Sequence, residues 1–261
     1  MLLENNLMLK RICIVVAITV GHCTIAFGST LPDTISHIKK SVVSVATVML
    51  TRSPRVIFYG TGFVVANGRY VVTNDHVVPK KIKHEKKEKL VIFTGVGSKP
   101  EPRYAEVVLR DAIHDLALLR IKGSALPSVV IGDSTRVRDG QQVAFTGFPI
   151  GMVLGQFPVT HVGIVSGMPP IVTPAPSSRQ LTAEQIKRKR NPFRVFQLDA
   201  IAYPGNSGSP VYHVDDGAVI GVVNSVFVKK SKEAVLASPS GITYAIPSKY
   251  INALLKKAGL Q

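Results

Sequence analysis

Tryptophan is absent from this 261-residue chain, and there are only two cysteines, Cys13 and Cys23. Both cysteines lie in one apolar stretch near the N-terminus. If that stretch is removed, the remainder has no disulfide and no thiol site, which excludes a cross-linked scaffold and cysteine nucleophiles. Acidic residues are scarce as well: 16 Asp and Glu against 32 Lys and Arg leave a formal charge of +16. Such an excess attracts polyanions, whether nucleic acid, anionic lipid or acidic envelope polymer. No nucleic-acid-binding motif accompanies it, and a basic soluble surface explains the same charge. Long apolar runs are missing too. The run Ile12 to Val20 falls short of the roughly 20 residues that a membrane span needs.

That short run has a recognisable setting. Lys10-Arg11 precede it, and Gly21-His22-Cys23 and Ala26-Phe27-Gly28 follow. A basic flank, a short apolar core and small residues two apart read as a secretory signal over residues 1–28, cut near Gly28. The expected localisation is therefore periplasmic or secreted. A retained membrane anchor through 12–27 is the alternative. His22 directly before Cys23 speaks against lipid modification at that cysteine.

Asp33 to Lys40 reads as a short helix with Asp33 near its cap. From Ser41 onward, short β-branched runs alternate with Gly, Pro and Asn turns. Strands are expected over 42–50, 56–66, 70–73, 90–94, 105–110 and 116–121, and again over 128–131, 142–147, 158–166, 194–199, 210–214, 218–228 and 242–246. Two barrels of about six strands each fit this count, one within 29–127 and one within 128–261. Pro247-Ser248-Lys249 opens a closing helix through Lys257, with Tyr250, Ile251, Leu254 and Leu255 at helical spacing. Two segments break the strand rhythm. Residues 80–89 are nearly all lysine and glutamate and read as a solvated loop. Residues 169–194 are proline-rich and then basic, with Lys187-Arg188-Lys189-Arg190 at their centre, and read as a surface loop.

The chemistry begins at Gly205-Asn206-Ser207-Gly208-Ser209-Pro210. A serine flanked by glycines at a sharp bend can present its hydroxyl to a bound acyl group. The amides of Gly205 and Ser207 could face the oxygen that becomes negative, an oxyanion hole. A Gly/Ser/Pro turn between two strands is the plainer reading of the same six residues. A serine nucleophile needs a base, usually a histidine held by a third group. Val71-Val72-Thr73-Asn74-Asp75-His76 places a histidine just after a β-branched run, and His114-Asp115-Leu116-Ala117-Leu118-Leu119 places a carboxylate before another. The order His76, Asp115, Ser207 is one of the known triad orders. The rivals are weaker. His84 sits among lysines, and His161 and His213 lie in strand patterns without a motif. Asp75 adjoins His76 in an extended segment, and Asp111 lacks a strand directly after it.

Together these stretches resemble a trypsin-like (chymotrypsin-fold) serine protease, and within that group the protease domain of the HtrA/Deg type. Gly60-Thr61-Gly62-Phe63-Val64-Val65, Gly132-Asp133-Ser134, Val143 to Pro149, Gly163-Ile164-Val165-Ser166 and Gly241 to Pro247 extend the likeness from about Ser41 to Pro247. It is interrupted near 169–194. One departure stands out: Ser209 occupies a position that is usually glycine, where it would crowd the backbone behind the nucleophile.

The resemblance implies a mainly β fold, a chymotrypsin-like double barrel of two antiparallel six-stranded β-barrels with a C-terminal helix; the PDZ domain that many such relatives carry is not expected after that helix, which lies at the end of the sequence. It implies an exported serine endopeptidase acting through an acyl-enzyme, with no metal or organic cofactor, on unfolded or extended proteins in envelope quality control or outside the cell. In enzymes of this kind the floor of the specificity pocket lies six positions before the nucleophile. That places Ile201 there, with Ala202 beside it and Val223-Asn224-Ser225 as the opposite wall, pairing with extended substrate backbone. An apolar floor favours cleavage after Val, Ile or Ala, since an unpaired buried cation is costly. Relatives often form trimers, so a homotrimer is an expectation carried by the resemblance alone. The rival functions are a chaperone-like scaffold with little or latent activity, and a polyanion binder using 80–89 and 187–190.

Overall fold

The computed structural model describes residues 30–95, 97, 100–149, 155–171, 192–224 and 241–261. The expected signal, Ser225 and the basic run 187–190 lie outside them.

Helix α1 (Leu31–Lys39) leads into strands β1 (Val42–Val48), β2 (Val56–Val65), β3 (Tyr70–Thr73), β4 (Lys89–Thr94), β5 (Glu101–Asp111) and β6 (Leu116–Ile121). These close into one antiparallel barrel in the order β1-β2-β3-β6-β5-β4. Strands β7 (Gln142–Gly147), β8 (Val159–Gly167), β9 (Phe196–Asp199), β10 (Pro210–His213), β11 (Val219–Asn224) and β12 (Ile242–Pro247) close a second, and helix α2 (Ser248–Lys257) follows. The second barrel runs β7-β8-β9-β12-β11-β10, the same connectivity as the first.

Several strands read as unbroken apolar runs because both their faces are buried. Successive side chains on a strand point to opposite sides. Val64, Val71, Ala117 and Leu119 fill the first barrel. Their neighbours Phe63, Val65, Val72, Leu116 and Leu118 face the other way, into a core shared with Ala144, Tyr212, Val222 and Ile246 of the second barrel. Ile251, Leu254 and Leu255 of α2 close that same core. The second barrel has its own interior of Val143, Phe145, Val165, Leu198, Ile220 and Ala245.

Three details differ from the sequence-based expectation. Residues 128–131 do not form a strand of the second barrel. Val129 donates to the Val64 carbonyl on β2 (3.0 Å), while the Val130 carbonyl accepts from Val219 on β11 (2.9 Å). The segment crosses between barrels and bonds to each in turn, so it builds no ladder with either. Helix α1 begins two residues before Asp33, which sits in its first turn. The loop 80–89 is not wholly solvated. Its lysines are exposed, yet Glu88 is buried, because Arg52 (2.6 Å), Thr47 Oγ1 (2.8 Å) and the Lys83 amide (3.0 Å) all donate to its carboxylate.

Candidate active site

Asp115 closes the turn 112–115 that joins β5 to β6, where Asp111 pairs with Leu116. Its φ is +54°, a left-handed conformation that costs a residue with a Cβ roughly 1–2 kcal/mol. Asp111 anchors the same turn by accepting from the His114 amide (3.1 Å) and ring Nδ1 (2.7 Å). Burial works against ionising Asp111, but these two bonds from His114 outweigh it and hold the carboxyl below its ordinary range. The His114 ring in turn stacks on Tyr250 of α2, centroids 4.0 Å apart. Both residues beside Asp115 are thus fixed before its own carboxylate is used.

That carboxylate is 90% buried by side chain and has three donors. Oδ1 accepts from the His76 amide at 2.9 Å. Oδ2 accepts from the His76 ring Nδ1 at 2.6 Å and from Asn224 Nδ2 at 2.6 Å. Because a carboxylate only accepts, Nδ1 carries the ring proton and Nε2 keeps its lone pair. Asn74 Nδ2 donates to the Asp115 carbonyl at 3.0 Å, which ties the turn to the segment leading to His76.

His76 lies in the single 3-10 turn Asp75–Val77 that follows β3. Arg110, on β5 just before the Asp111 turn, clamps this segment. Its Nη1 reaches Asp75 Oδ1 (2.6 Å) and the Val78 carbonyl (3.2 Å), and its Nη2 the Pro79 carbonyl (2.9 Å). Asp75 is thereby paired with Arg110, directed away from the imidazole of His76. The remaining rivals are placed as follows: His84 is exposed, His213 accepts from Gln141 at 3.0 Å, and His161 stacks on Phe145.

Ser207 is carried by two consecutive turns. Asn206 N donates to the Tyr203 carbonyl and Ser209 N to the Asn206 carbonyl, both at 3.0 Å. The third residue of each turn is a glycine with positive φ, Gly205 at +102° and Gly208 at +88°. That is the conformation a type II turn requires there, with Pro204 at the favoured second position of the first turn. Gly208 has a second constraint: a Cβ on it would stand 1.9 Å from the Thr61 carbonyl. The turns are pressed this closely onto β2 of the first barrel.

Thr61 is the link. Its amide donates to the Ser207 carbonyl (2.8 Å), and its hydroxyl donates to the Gly205 carbonyl (2.8 Å) and accepts from Phe148 N (3.0 Å). Its own carbonyl accepts from Thr73 Oγ1 at 2.6 Å, three residues before His76. The Ser207 carbonyl and the Val77 side chain each lie 2.8 Å from where a Cβ of Gly60 would be. The serine turn and the histidine turn therefore meet across β2, with Asp115 behind the histidine.

Ser209 is fully buried. Room for it comes from Gly147 at the end of β7, whose Cβ would fall 1.9 Å from Ser209 Oγ. The crowding expected behind the nucleophile is relieved by a missing side chain on a neighbouring strand. On the far side, Val223 N donates to the Ser209 carbonyl (2.9 Å), and its carbonyl accepts from Gly208 N (3.0 Å). Asn224, expected as pocket wall, sends its side chain to Asp115 instead. Ile201 is exposed, and Ala202 packs against the second-barrel interior.

A family model described as a trypsin-like peptidase domain matches residues 60–222. The chain belongs to that family. It is 32% identical over 190 residues to a probable periplasmic serine endoprotease, DegP-like, of a Marinomonas species, covering 73% of this chain and 33% of that one. A protein of the same description from Chlamydia pneumoniae is 34% identical over 196 residues, 75% of this chain and 33% of its own. The chain thus spans about a third of the length of these curated relatives. Among solved structures, the HtrA-type protease AlgW with a decapeptide shares the fold with a TM-score of 0.64 and 21% identity, over 88% of this chain and 67% of that one. As a trypsin-like peptidase domain of HtrA/Deg type, the chain has the double barrel of that fold.

Proposed function

We propose that the protein is a serine endopeptidase in which Ser207 is the nucleophile, His76 the general base and then acid, and Asp115 the group that orients the imidazole. The observation that carries this reading is the double grip of Asp115 on His76, at the amide (2.9 Å) and the ring Nδ1 (2.6 Å). It leaves Nε2 basic and directed away from the carboxylate. In the first step Nε2 takes the Ser207 hydroxyl proton as Oγ bonds to the scissile carbonyl carbon. The amides of Gly205 and Ser207 stabilise the oxyanion. The imidazolium then gives its proton to the leaving amine as the C–N bond breaks, and water repeats the cycle on the acyl-enzyme. Each well-aimed oxyanion donor contributes about 3 kcal/mol.

The substrates that suit this reading are unfolded or extended proteins, whose backbone is free to approach the Ser207 turns. Export to the periplasm agrees with the description of the DegP-like relatives. The exposed lysines of 80–89 form a secondary surface for acidic polymers, and binding there would weaken steeply with salt. The test of the main reading is casein hydrolysis by the full chain beside Ser207→Ala. The expected result is turnover that this substitution abolishes; equal turnover by both proteins would exclude the serine mechanism.

A further inference from the structure

His161 lies on β8 opposite Phe145 of β7. Its strand neighbour Val165 and its partner Phe145 both fill the second barrel, so the imidazole turns inward with them. The ring stacks on Phe145 with centroids 4.9 Å apart and tilts against Tyr203 at 6.0 Å. Tyr203 is the residue whose carbonyl starts the first of the two turns carrying Ser207. Ala202 and Val223 pack against the same barrel interior. The ring therefore sits between the second-barrel interior and Tyr203, the residue that opens the nucleophile turns. His161 is only half-buried, yet its Nε2 is closed off from solvent and has no hydrogen-bond partner among the described residues.

An unpartnered buried nitrogen is costly to the fold and calls for an explanation. We propose that His161 is the polar end of the pocket for the residue before the scissile bond, and that this pocket selects an uncharged carboxamide side chain, glutamine or asparagine. This rests on the protease reading above.

The chemistry favours that class over the others. A carboxamide both donates and accepts, so it satisfies either tautomer of a neutral imidazole. Burial alone pushes the His161 imidazole below its ordinary value, and the ring is neutral near pH 7. A Glu side chain would bring a carboxylate to an uncharged ring among aromatic and aliphatic walls, and Lys or Arg an equally unpaired cation. An aliphatic side chain would fill the walls and leave the nitrogen unpaired. The expectation of Val, Ile or Ala rested on Ile201 as the floor, and the peptides below separate the two readings.

The experiment compares kcat/KM of the full chain on peptides differing only before the cut: Gln, Asn, Glu and Val. Wild type, His161→Leu and His161→Gln are measured, and a fluorophosphonate monitors Ser207 in each. The better carboxamide peptide should exceed Val and Glu by about tenfold or more. His161→Leu should erase that advantage while leaving the Val peptide within about threefold, and His161→Gln should retain part of it. If either variant fails to fold, the wild-type ratio alone decides. Ser207 labelling with Val cut as well as Gln and Asn, or with a ratio that His161→Leu does not move, overturns this inference alone. Absence of both labelling and cleavage overturns the protease reading and this inference with it.

Discussion

Asp115 combines a left-handed backbone with a buried carboxylate that accepts from three donors. The Asn224 amide is the one of these three donors that does not belong to His76, so it positions the acid from another strand. Losing one charge-assisted bond costs about 1.5–3 kcal/mol, and kcat of Asn224→Ala should fall on the order of ten- to a hundredfold with KM nearly unchanged. Peptide kinetics would check it, and an unaltered kcat would show that the bond is idle. A second pair of residues makes a sharper case. Gly147→Ala places a methyl 1.9 Å from Ser209 Oγ, so the variant should lose most activity and unfold at a lower temperature. Adding Ser209→Gly should restore part of both, since 2.9 Å and 3.0 Å contacts to Thr61 and Asn206 remain. A double-mutant cycle by thermal unfolding reads the coupling. The chain order singled out Ser207, His76 and Asp115 as candidates, because each lies beside its own strand or turn signal. Asn224 was expected on the pocket wall, Gly147 only within the stretch 143–149 and His161 only as a weaker rival base, so their contacts were not foreseen. Asn224 reaches an acid 109 residues away, and no local pattern marks a contact of that span.

At the scale of elements, the closest fit is between β2 and the nucleophile turns. Thr61 uses its amide and hydroxyl there, so a shift of β2 would move Ser207 and Gly205 together. Strand positions were legible because β-branched runs ended at Gly, Asn and Pro. Residues 128–131 met the same criterion and are no strand, since their backbone bonds are divided between two barrels. The loop 80–89 misled in the opposite direction. Its composition is that of a solvated loop, but the Lys83 amide, together with Thr47 and Arg52, holds Glu88 buried and ionised. The amide bond is the main cause that lowers its pKa from 4.5; burial opposes it, and Thr47 and Arg52 add to it. A carboxyl with a lowered folded pKa stabilises the fold above its unfolded value, and that contribution is lost as pH falls through the folded one. Glu88→Gln should therefore lower the unfolding temperature at pH 7, with the gap from wild type narrowing below about pH 4. A constant gap from pH 7 to pH 3.5 would contradict the assignment.

For the whole molecule, the shared core between the barrels decides both stability and geometry. It joins Phe63 and Leu118 of one barrel to Tyr212 and Ile246 of the other, with Leu254 of α2 among them. Leu254 is 1% exposed, and Leu254→Ala should destabilise by about 2–5 kcal/mol, measurable by urea unfolding. Activity should fall with the folded fraction and no further, because Leu254 packs among apolar side chains of the shared core. The double barrel was readable from strand count, but the interface was not: a strand buried on both faces looks the same whichever side meets the partner barrel. The central claim is that His76 activates Ser207 across this interface. Fluorophosphonate labelling of wild type and His76→Ala, with the modified residue mapped by mass spectrometry, tests it most directly. The account predicts adduct on Ser207 and a rate about a thousandfold lower without the imidazole; adduct elsewhere, or an equal rate in His76→Ala, would contradict it.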